Sequence, residues 1–578
     1  MKNITRFKDI FLLMILTLGR LLSSEEFNIT STIANGNETK SLQVEEVNKS
    51  RTILFILFVT MLCILGINFT NSFIKFISIP QSIITVAIGA FIGMLLRISN
   101  NIISTDKESF PPTIFFLVIL PPIIFESGFN LNKENFFSNI GSISLFAILG
   151  TIISTLIIGY GIFFLGRYDR TCQLTIYESF AFASLISAID PVATLTIFEA
   201  LNINKVLYML VFGESILNDA VSIVLTSSVA KISKSNLKSL NELYAILEIF
   251  FEFSYSFVMS SLIGITSGLI SAVILKCSNL RKSSMLELGI FYIFAYMPYC
   301  IAEALHLSGI MTILFTGITM SHYTYHNLSL FSKISVVEGF KTLATLSETC
   351  MFAYLGLAVF SFRHVVHYKF VGTVFLLCLI GRAMNIYPLA FLLNQCRGHK
   401  IPFKHQFLMW FSGLRGAIAF ALCLQLDWLA NEEIRKMLVT STLIVTLTSI
   451  LVLGSLTKPL TSLIEHLDSK HKRNRQFQRL NKDLIMNEVP EETEVLNMEK
   501  LQARQDKTES DSSLDTEWFI TEDQPNQERS IQGSNIFQWL EKKYLLPYLI
   551  HEPTLEEIAM DQNRIQSFSA RSSNIEMQ

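Results

Sequence analysis

The stretch Val-Phe-Gly-Glu-Ser-Ile-Leu-Asn-Asp-Ala-Val-Ser, residues 211–222, decides how the rest of the sequence is interpreted. It places two carboxylates, Glu214 and Asp219, inside an apolar run where a charged group is costly to bury. Residues four apart on a helix lie on one stripe, so Glu214 lies over Asn218. Ser215 lies over Asp219 on the adjacent stripe. A run of this kind indicates a membrane helix that carries a polar site.

The whole chain has the composition of a protein that crosses the bilayer many times. Of its 578 residues, 50% are apolar and only 16% are charged, and the mean hydropathy is +0.44. A soluble protein carries about 25% charged residues. The net charge of -2 lacks the basic surplus that neutralises many phosphates, so no nucleic acid is expected as a partner. The eight cysteines form no CxxC pair and are interpreted as core residues.

Hydropathy divides the chain into four regions. Residues 1–24 combine a basic start with an apolar run, which is typical of a signal peptide or a signal-anchor helix. Residues 25–51 form a polar tail, predicted to be lumenal and glycosylated. Residues 52–460 alternate apolar runs with short polar connections, which predicts about thirteen transmembrane helices. Residues 461–578 are predicted to be a cytosolic, largely disordered regulatory tail.

One stretch of the tail is amphipathic. Residues 537–549 read Phe-Gln-Trp-Leu-Glu-Lys-Lys-Tyr-Leu-Leu-Pro-Tyr-Leu. Apolar residues flank three consecutive charged residues there, so the stretch is expected to dock onto the membrane or onto the protein's own cytosolic face. A linker without a partner is the alternative interpretation.

Two apolar runs are interrupted where charged residues occur. In the fifth, Ser-Ala-Ile-Asp-Pro-Val-Ala-Thr, Pro191 removes a backbone donor and Asp190 is placed to compensate a helix end. In the twelfth, Arg415 lies between Gly413 and Gly416, which permit another helix to cross closely or the helix to unwind locally. The predicted fold is therefore an all-α polytopic membrane protein. If the bundle consists of two inverted repeats, spans five and twelve are equivalent broken helices that cross in mid-membrane.

A buried arginine separates the roles of the neighbouring carboxylates. Arg382 lies at the centre of the eleventh run, stays protonated and can fork onto both a carboxylate and an amide. It is therefore predicted to form a structural brace with Glu214 and Asn218. The remaining carboxylate on the same helix, Asp219, is then free to exchange ions.

Asp219 is predicted to bind either a proton or Na⁺ or K⁺, with Asp190 and Ser215 as further oxygen ligands together with freed backbone carbonyls. Asn218 belongs to the same site. A second free carboxylate at its position would favour a cycle that moves two protons. One proton is therefore expected to exchange for one monovalent cation without net movement of charge. Glu126, near the end of the third run, is either an extra ligand or an interfacial residue. Glu348 is placed towards the end of a span, where solvated residues are commoner.

Two other classes of protein also place acidic residues in the membrane. A cation channel normally surrounds an axis with a ring of carbonyls or charges, and the sequence contains no filter-like repeat. An intramembrane aspartyl protease would use Asp190 and Asp219 as a dyad. The adjacent Asn218 and two membrane arginines suit ion handling better than peptide hydrolysis. No enzyme activity is expected, and no cofactor apart from the transported ions.

These motifs resemble the sodium/hydrogen exchangers of the cation/proton antiporter family. Besides the two sequences quoted above, the resemblance rests on Gly-Arg-Ala at 381–383 and Gly-Leu-Arg-Gly-Ala-Ile-Ala at 413–419. It covers nearly all of residues 52–460. The chain is most similar to organellar members, through Leu-Pro-Pro-Ile-Ile-Phe-Glu-Ser-Gly at 120–128 and Leu-His-Leu-Ser-Gly-Ile-Met at 305–311.

The resemblance implies a homodimer of thirteen-helix protomers, each built from two inverted six-helix repeats, that works by elevator-like alternating access. It implies that Asp219 binds the ion beside Asn218, and that Glu214 pairs with Arg382. For the organellar subgroup it implies pH regulation in Golgi, trans-Golgi and endosomal membranes, and at times in the apical plasma membrane. The expected partners are membrane lipid and small monovalent cations, and the tail's partners stay unassigned.

Glycosylation of the amino-terminal tail is a first testable expectation. Acceptor sequons occur at Asn28, Asn37 and Asn48. Because the tail is predicted to be lumenal, removal of N-glycans with a glycosidase should increase the gel mobility of the protein made in animal cells. Replacing all three asparagines with glutamine should give the same increase. Mobility that changes in neither case would contradict a glycosylated lumenal tail.

Overall fold

The computed structural model describes residues 38–73, 80–98, 115–168, 174–190, 198, 205–234, 242–278, 280, 283–361, 364–396, 400–413, 415–426, 431–457, 459–461 and 549. Every regular element in these ranges is a helix. The predicted all-α class is confirmed. Asn28, Asn37 and Pro191 lie outside the described residues, as do the predicted signal segment and nearly all of the carboxyl-terminal tail, whereas Asn48 lies within the first helix.

The first seven helices contain both carboxylates of the decisive stretch, on α6. Their bounds are α1 Glu38–Phe73, α2 Gln81–Ile98, α3 Leu120–Phe129 after a π-helical turn Phe115–Ile119, α4 Lys133–Ser144 with a π-helical turn Leu145–Leu149 and Gly150–Tyr168, α5 Ile176–Ile186, α6 Lys205–Lys234 and α7 Glu242–Cys277.

The second seven helices contain both membrane arginines of the predicted site. Their bounds are α8 Ser284–Ala304, α9 Gly309–Thr319 with a π-helical turn Met320–Thr324 and Tyr325–Asn327, α10 Leu330–Ser361, α11 Tyr368–Cys396, α12 Phe403–Phe411, α13 Ala417–Leu424 and α14 Glu432–Thr448 with a π-helical turn Ser449–Leu453.

Many of these helices have the length and composition of membrane spans. Within the described ranges, nine helices are long and apolar enough to cross a bilayer, namely α1, α2, α4, α6, α7, α8, α10, α11 and α14. The short apolar helices Phe115–Phe129 and Ile176–Ile186 add to them. A multi-pass membrane protein is therefore established, while the number thirteen stays a prediction. Contacts group Met1–Lys458 with Leu546–Gln578 in one unit, and Pro459–Leu545 form a second unit.

The two predicted interruptions are present and meet each other. Helix α5 ends at Ile186, and residues 187–190 leave helical geometry, as the proline that follows Asp190 requires. Helix α13 begins after Gly416, whose φ of -95° and ψ of 173° are extended. A Cβ atom on Gly416 would overlap the Asp190 side chain. The broken helices therefore cross at these two residues, as the sequence predicted.

Glycines also bring α2 and α10 into backbone contact. A Cβ atom on Gly89 of α2 would overlap the carbonyl oxygen of Ala353 on α10. Reciprocally, a Cβ atom on Gly356 of α10 would overlap the carbonyl oxygen of Val86 on α2. Small residues of this kind let membrane helices pack through their backbones, where van der Waals contact replaces the hydrophobic effect as the driving force. The α2–α10 crossing therefore depends on two positions without side chains.

Replacing Gly89 with alanine should destabilise the protein by about 1–3 kcal/mol, because the added methyl group overpacks the crossing. Gly372 on α11 is the matched control, because a Cβ atom there would meet no atom within 4 Å. Gly372→Ala should leave the free energy of unfolding unchanged or increase it by about 0.5–1 kcal/mol, since alanine favours the helix. Thermal unfolding in detergent would measure both variants. Equal melting temperatures for the two would argue against backbone contact at Gly89.

Candidate ion-binding site

A buried ion pair ties three helices together beside the crossing. Arg382 of α11 and Glu214 of α6 are 3% and 1% exposed. Arg382 donates from Nη1 to Glu214 Oε1 and from Nη2 to Oε2, the latter at 3.0 Å. Nη2 also donates to the carbonyl of Met409 on α12, at 2.8 Å. Gly413 gives the arginine room, because a Cβ atom there would lie 2.7 Å from Arg382 Nε.

Asn218 serves a different purpose from the one predicted for it. The second partner of Arg382 is a carbonyl of α12, not the Asn218 amide. Asn218 Nδ2 instead donates to the carbonyl of Ser187, at 3.2 Å, where α5 ends. Its Oδ1 accepts from Thr151 of α4 at 2.6 Å and from Ser222 at 3.3 Å. Asn218 therefore holds the break in α5 against α4 and α6.

Arg415 compensates the same break from the opposite helix. Its Nη1 donates to the carbonyls of Ser187 and Ala188, at 2.8 and 3.4 Å. A helix carboxyl end carries partial negative charge, which a buried guanidinium neutralises. Ser449 of α14 fixes Arg415 by accepting from its backbone N–H at 3.1 Å and donating to its carbonyl at 3.0 Å. The carbonyls freed by the break, which the sequence offered as ion ligands, therefore already accept bonds from the protein.

Asp219 is the carboxylate that these contacts leave open. It is 8% exposed, and its Oδ1 atom is buried without a hydrogen-bond partner among the described residues. The backbone of Ile189 lies within hydrogen-bonding reach of the Asp219 carboxylate, and Asp190 is near enough to repel it electrostatically. The hydroxyl of Ser215 donates to the Ile189 carbonyl at 2.6 Å, so it also supports the break. Asp219, Asp190 and Ser215 therefore meet around the extended backbone after α5.

A row of carboxylates approaches this site from α3 and α10. Glu348 lies well inside α10 and interacts electrostatically with both Asp190 and Glu126. Glu126 of α3 accepts a hydrogen bond from Asn130 Nδ2 at 2.8 Å and lies near Lys341. The side chain of Glu126 is half-buried. Glu126 is therefore linked to the site through Glu348, which the sequence had suggested to be a solvated residue near the end of a span.

Two interrupted helices that cross beside a buried, open carboxylate define an ion-transport site of the kind found in secondary transporters. The family model described as sodium/hydrogen exchanger, transmembrane, matches residues 55–463. Sodium/hydrogen exchanger 8 of Homo sapiens is 44% identical over 520 residues, which cover 89% of this chain and 86% of that protein. The chain belongs to the sodium/hydrogen exchanger family, as the motifs indicated. Its members are transporters, so the expectation that the chain is no enzyme is confirmed.

More distant proteins agree with this assignment. Sodium/hydrogen exchanger 1 of Dictyostelium discoideum is 37% identical over 74% of this chain and 62% of that protein. Among solved structures, the sodium proton antiporter MjNhaP1 of Methanocaldococcus jannaschii is 17% identical, with a TM-score of 0.53. The match covers 72% of this chain and 98% of the antiporter. At this identity the likeness establishes the fold alone.

Replacing Arg382 with alanine should destabilise the protein by about 3–5 kcal/mol, because Glu214 would be left buried and unpaired. The double variant Arg382→Met with Glu214→Leu should recover much of that loss, since it removes both charges together. Folded yield and thermal unfolding in detergent would measure both.

Lys436→Ala is the control for this comparison. It breaks a solvent-exposed pair in which Lys436 Nζ lies 2.7 Å from Glu432 Oε1. Water screens such pairs, so little change in stability is expected. Wild-type stability of Arg382→Ala would refute the brace. Equal instability of the double variant would point to a cause other than the unpaired charge.

Proposed function

We propose that the protein is an antiporter that exchanges one Na⁺ or K⁺ for one H⁺ at Asp219. The observation that supports this most strongly is the contrast between two carboxylates on α6. Both oxygens of Glu214 are bound by a guanidinium, whereas Oδ1 of Asp219 is buried and accepts no hydrogen bond from the described residues. The names of the relatives, sodium/hydrogen exchangers, agree with this chemistry.

The surroundings of Asp219 favour the ionised carboxylate only when a cation is bound to it. An ionised carboxylate without a bound cation is unfavourable in a low-dielectric environment. The negative charge of nearby Asp190 adds to that cost. Either a proton or a small cation relieves it. Carboxylate, hydroxyl and carbonyl oxygens are ligands for hard monovalent cations. Since one cation and one proton compete for the same oxygens, loading one releases the other, which couples the two fluxes.

The fixed partners of the other charges make the exchange electroneutral. Arg382 binds both oxygens of Glu214, and Arg415 is bound to carbonyls of the α5 break. Asn218 is neutral and has hydrogen-bond partners at both its oxygen and its nitrogen. In this proposal only Asp219 changes the ion that it binds. Its proton-bound and cation-bound forms carry the same net charge. A cycle that alternates between them moves no net charge across the membrane.

We also propose the finer properties that the family resemblance implies. The protein works as a homodimer by alternating access, and it uses K⁺ as well as Na⁺. It resides in Golgi, trans-Golgi and endosomal membranes and reaches the apical plasma membrane, where exchange sets the pH on the two sides. The amino-terminal tail is glycosylated, which agrees with a lumenal orientation of residues 25–51.

Asp219→Asn should reduce exchange at least about a hundredfold, because an amide neither binds a proton nor balances a cation. The variant should keep its expression and thermal stability, since Oδ1 of Asp219 accepts no hydrogen bond from the described residues. The measurement is proton efflux from proteoliposomes driven in separate experiments by inward Na⁺ and K⁺ gradients. Glu433→Gln, which neutralises an exposed carboxylate at the start of α14, is the control and should exchange normally.

The same assay separates the classes of protein. Saturable efflux that requires Asp219 supports the antiporter, and its relative rate with the two cations gives the preference between them. A current that grows in proportion to the imposed voltage would favour a channel. Exchange that survives in Asp219→Asn would contradict the proposed role of this carboxylate.

A further inference from the structure

One residue of the distant carboxyl-terminal region lies against the membrane helices. The side chain of Leu549 is 6% exposed. Its carbonyl accepts a hydrogen bond from Asn327 Nδ2 at 2.8 Å. The same nitrogen donates to the carbonyl of Ala272 on α7 at 2.9 Å, and Asn327 itself is 1% exposed. A single buried amide therefore joins the end of α9, helix α7 and Leu549.

The chain around Asn327 is held rigidly in place. Glu287 of α8 is 1% exposed and accepts three hydrogen bonds from the start of α10. The donors are the backbone N–H and hydroxyl of Ser329, at 2.9 and 2.7 Å, and the hydroxyl of Ser332, at 2.5 Å. The turn between α9 and α10 is thereby fixed to α8, two residues after Asn327 is fixed to α7. A segment that binds here meets a surface formed in advance, which lowers the entropic cost of docking.

The sequence around Leu549 suits a segment that returns to the membrane unit. Residues 544–550 read Tyr-Leu-Leu-Pro-Tyr-Leu-Ile, an apolar run within a tail that is otherwise polar. Contacts place Leu546–Gln578 in the same unit as the membrane helices, whereas Pro459–Leu545 form a unit of their own. The division between the two units falls inside the apolar run, just before Leu549.

Charge around the turn complements the segment. Lys133 and Lys333 hold their ammonium groups 6.0 and 5.4 Å from the centre of the Tyr325 ring, two residues before Asn327. The twelve residues that follow Leu549 contain no lysine or arginine and a single histidine, His551. They contain four carboxylates, Glu552, Glu556, Glu557 and Asp561. Opposite charges of this kind steer a segment to its site and weaken its binding at high salt.

We propose that the turn after α9, anchored by Asn327, is a docking site for the chain's own carboxyl-terminal segment Leu546–Gln578, with Leu549 as the anchoring residue. The occupant belongs to the same chain, so docking is intramolecular and is favoured by effective concentration. The site lies outside the ion-binding residues. The docking therefore stands independently of the proposed exchange activity.

Hydrogen–deuterium exchange of the purified full chain tests this docking. Amides of residues 320–332 should exchange at least about tenfold faster in a chain that ends at Leu545, because the docked segment no longer protects them. Leu549→Glu in the full chain should cause the same acceleration. Asn394→Ala is the control, since Asn394 also bridges backbone atoms through its amide, to Ile401, but lies outside the proposed site. It should leave the protection of residues 320–332 unchanged.

A synthetic peptide of residues 546–578 provides the complementary test. Added to the chain that ends at Leu545, it should restore protection at 320–332, and more weakly at high salt. The same peptide with Leu549→Glu should not. Equal exchange at 320–332 with and without the segment would overturn the proposal, as would restoration by both peptides. Protection of the segment only in lipid nanodiscs, with residues 320–332 unaffected, would indicate membrane docking and would also overturn it.

Discussion

The bond between Arg382 and Glu214 is the interaction on which the site depends. Two carboxylates five residues apart on one helix, buried among apolar helices, cannot both stay ionised without partners. The guanidinium binds both oxygens of Glu214 and one carbonyl of α12, while its Nε atom has no hydrogen-bond partner among the described residues. Oδ1 of Asp219 accepts no hydrogen bond from the described residues. An ion supplied from solution then becomes the partner that balances its charge.

The crossing of the broken helices follows from the same requirement that buried charge be compensated. The carbonyls at the end of α5 are bound by Arg415 and Asn218, and the backbone of Arg415 is in turn held by Ser449. Gly416 lets Asp190 approach the start of α13, whose partial positive charge suits a carboxylate. Each break is thus neutralised by a group from the other broken helix. The extended backbone can persist at membrane depth because its polar groups are satisfied within the protein.

Charges and helix breakers in apolar runs made much of this arrangement predictable from the sequence. The pairing of Arg382 with Glu214 followed from charge alone, and the crossing followed from Pro191 and the glycines beside Arg415. The hydrogen-bond partners of Asn218 could not be predicted, because Thr151 is one of many hydroxyl residues and the sequence does not give the rotation of α4 about its axis. Glu348 was misjudged because the ends of spans are the least certain part of a hydropathy reading. Glu348 lies in the middle of helix α10, Leu330–Ser361, which starts before the apolar part of the sequence.

The most direct test of the central claim is the balance point of exchange under voltage. In proteoliposomes, Na⁺ and H⁺ gradients of the same direction are adjusted until proton flux stops, first at zero potential and then at about 100 mV, which acts on any moved charge with about 2.3 kcal/mol. A single exchanging carboxylate with fixed neighbours predicts zero flux when the two concentration ratios are equal, at both potentials. A balance point that shifts with voltage would show that a second charge moves, and would contradict this account.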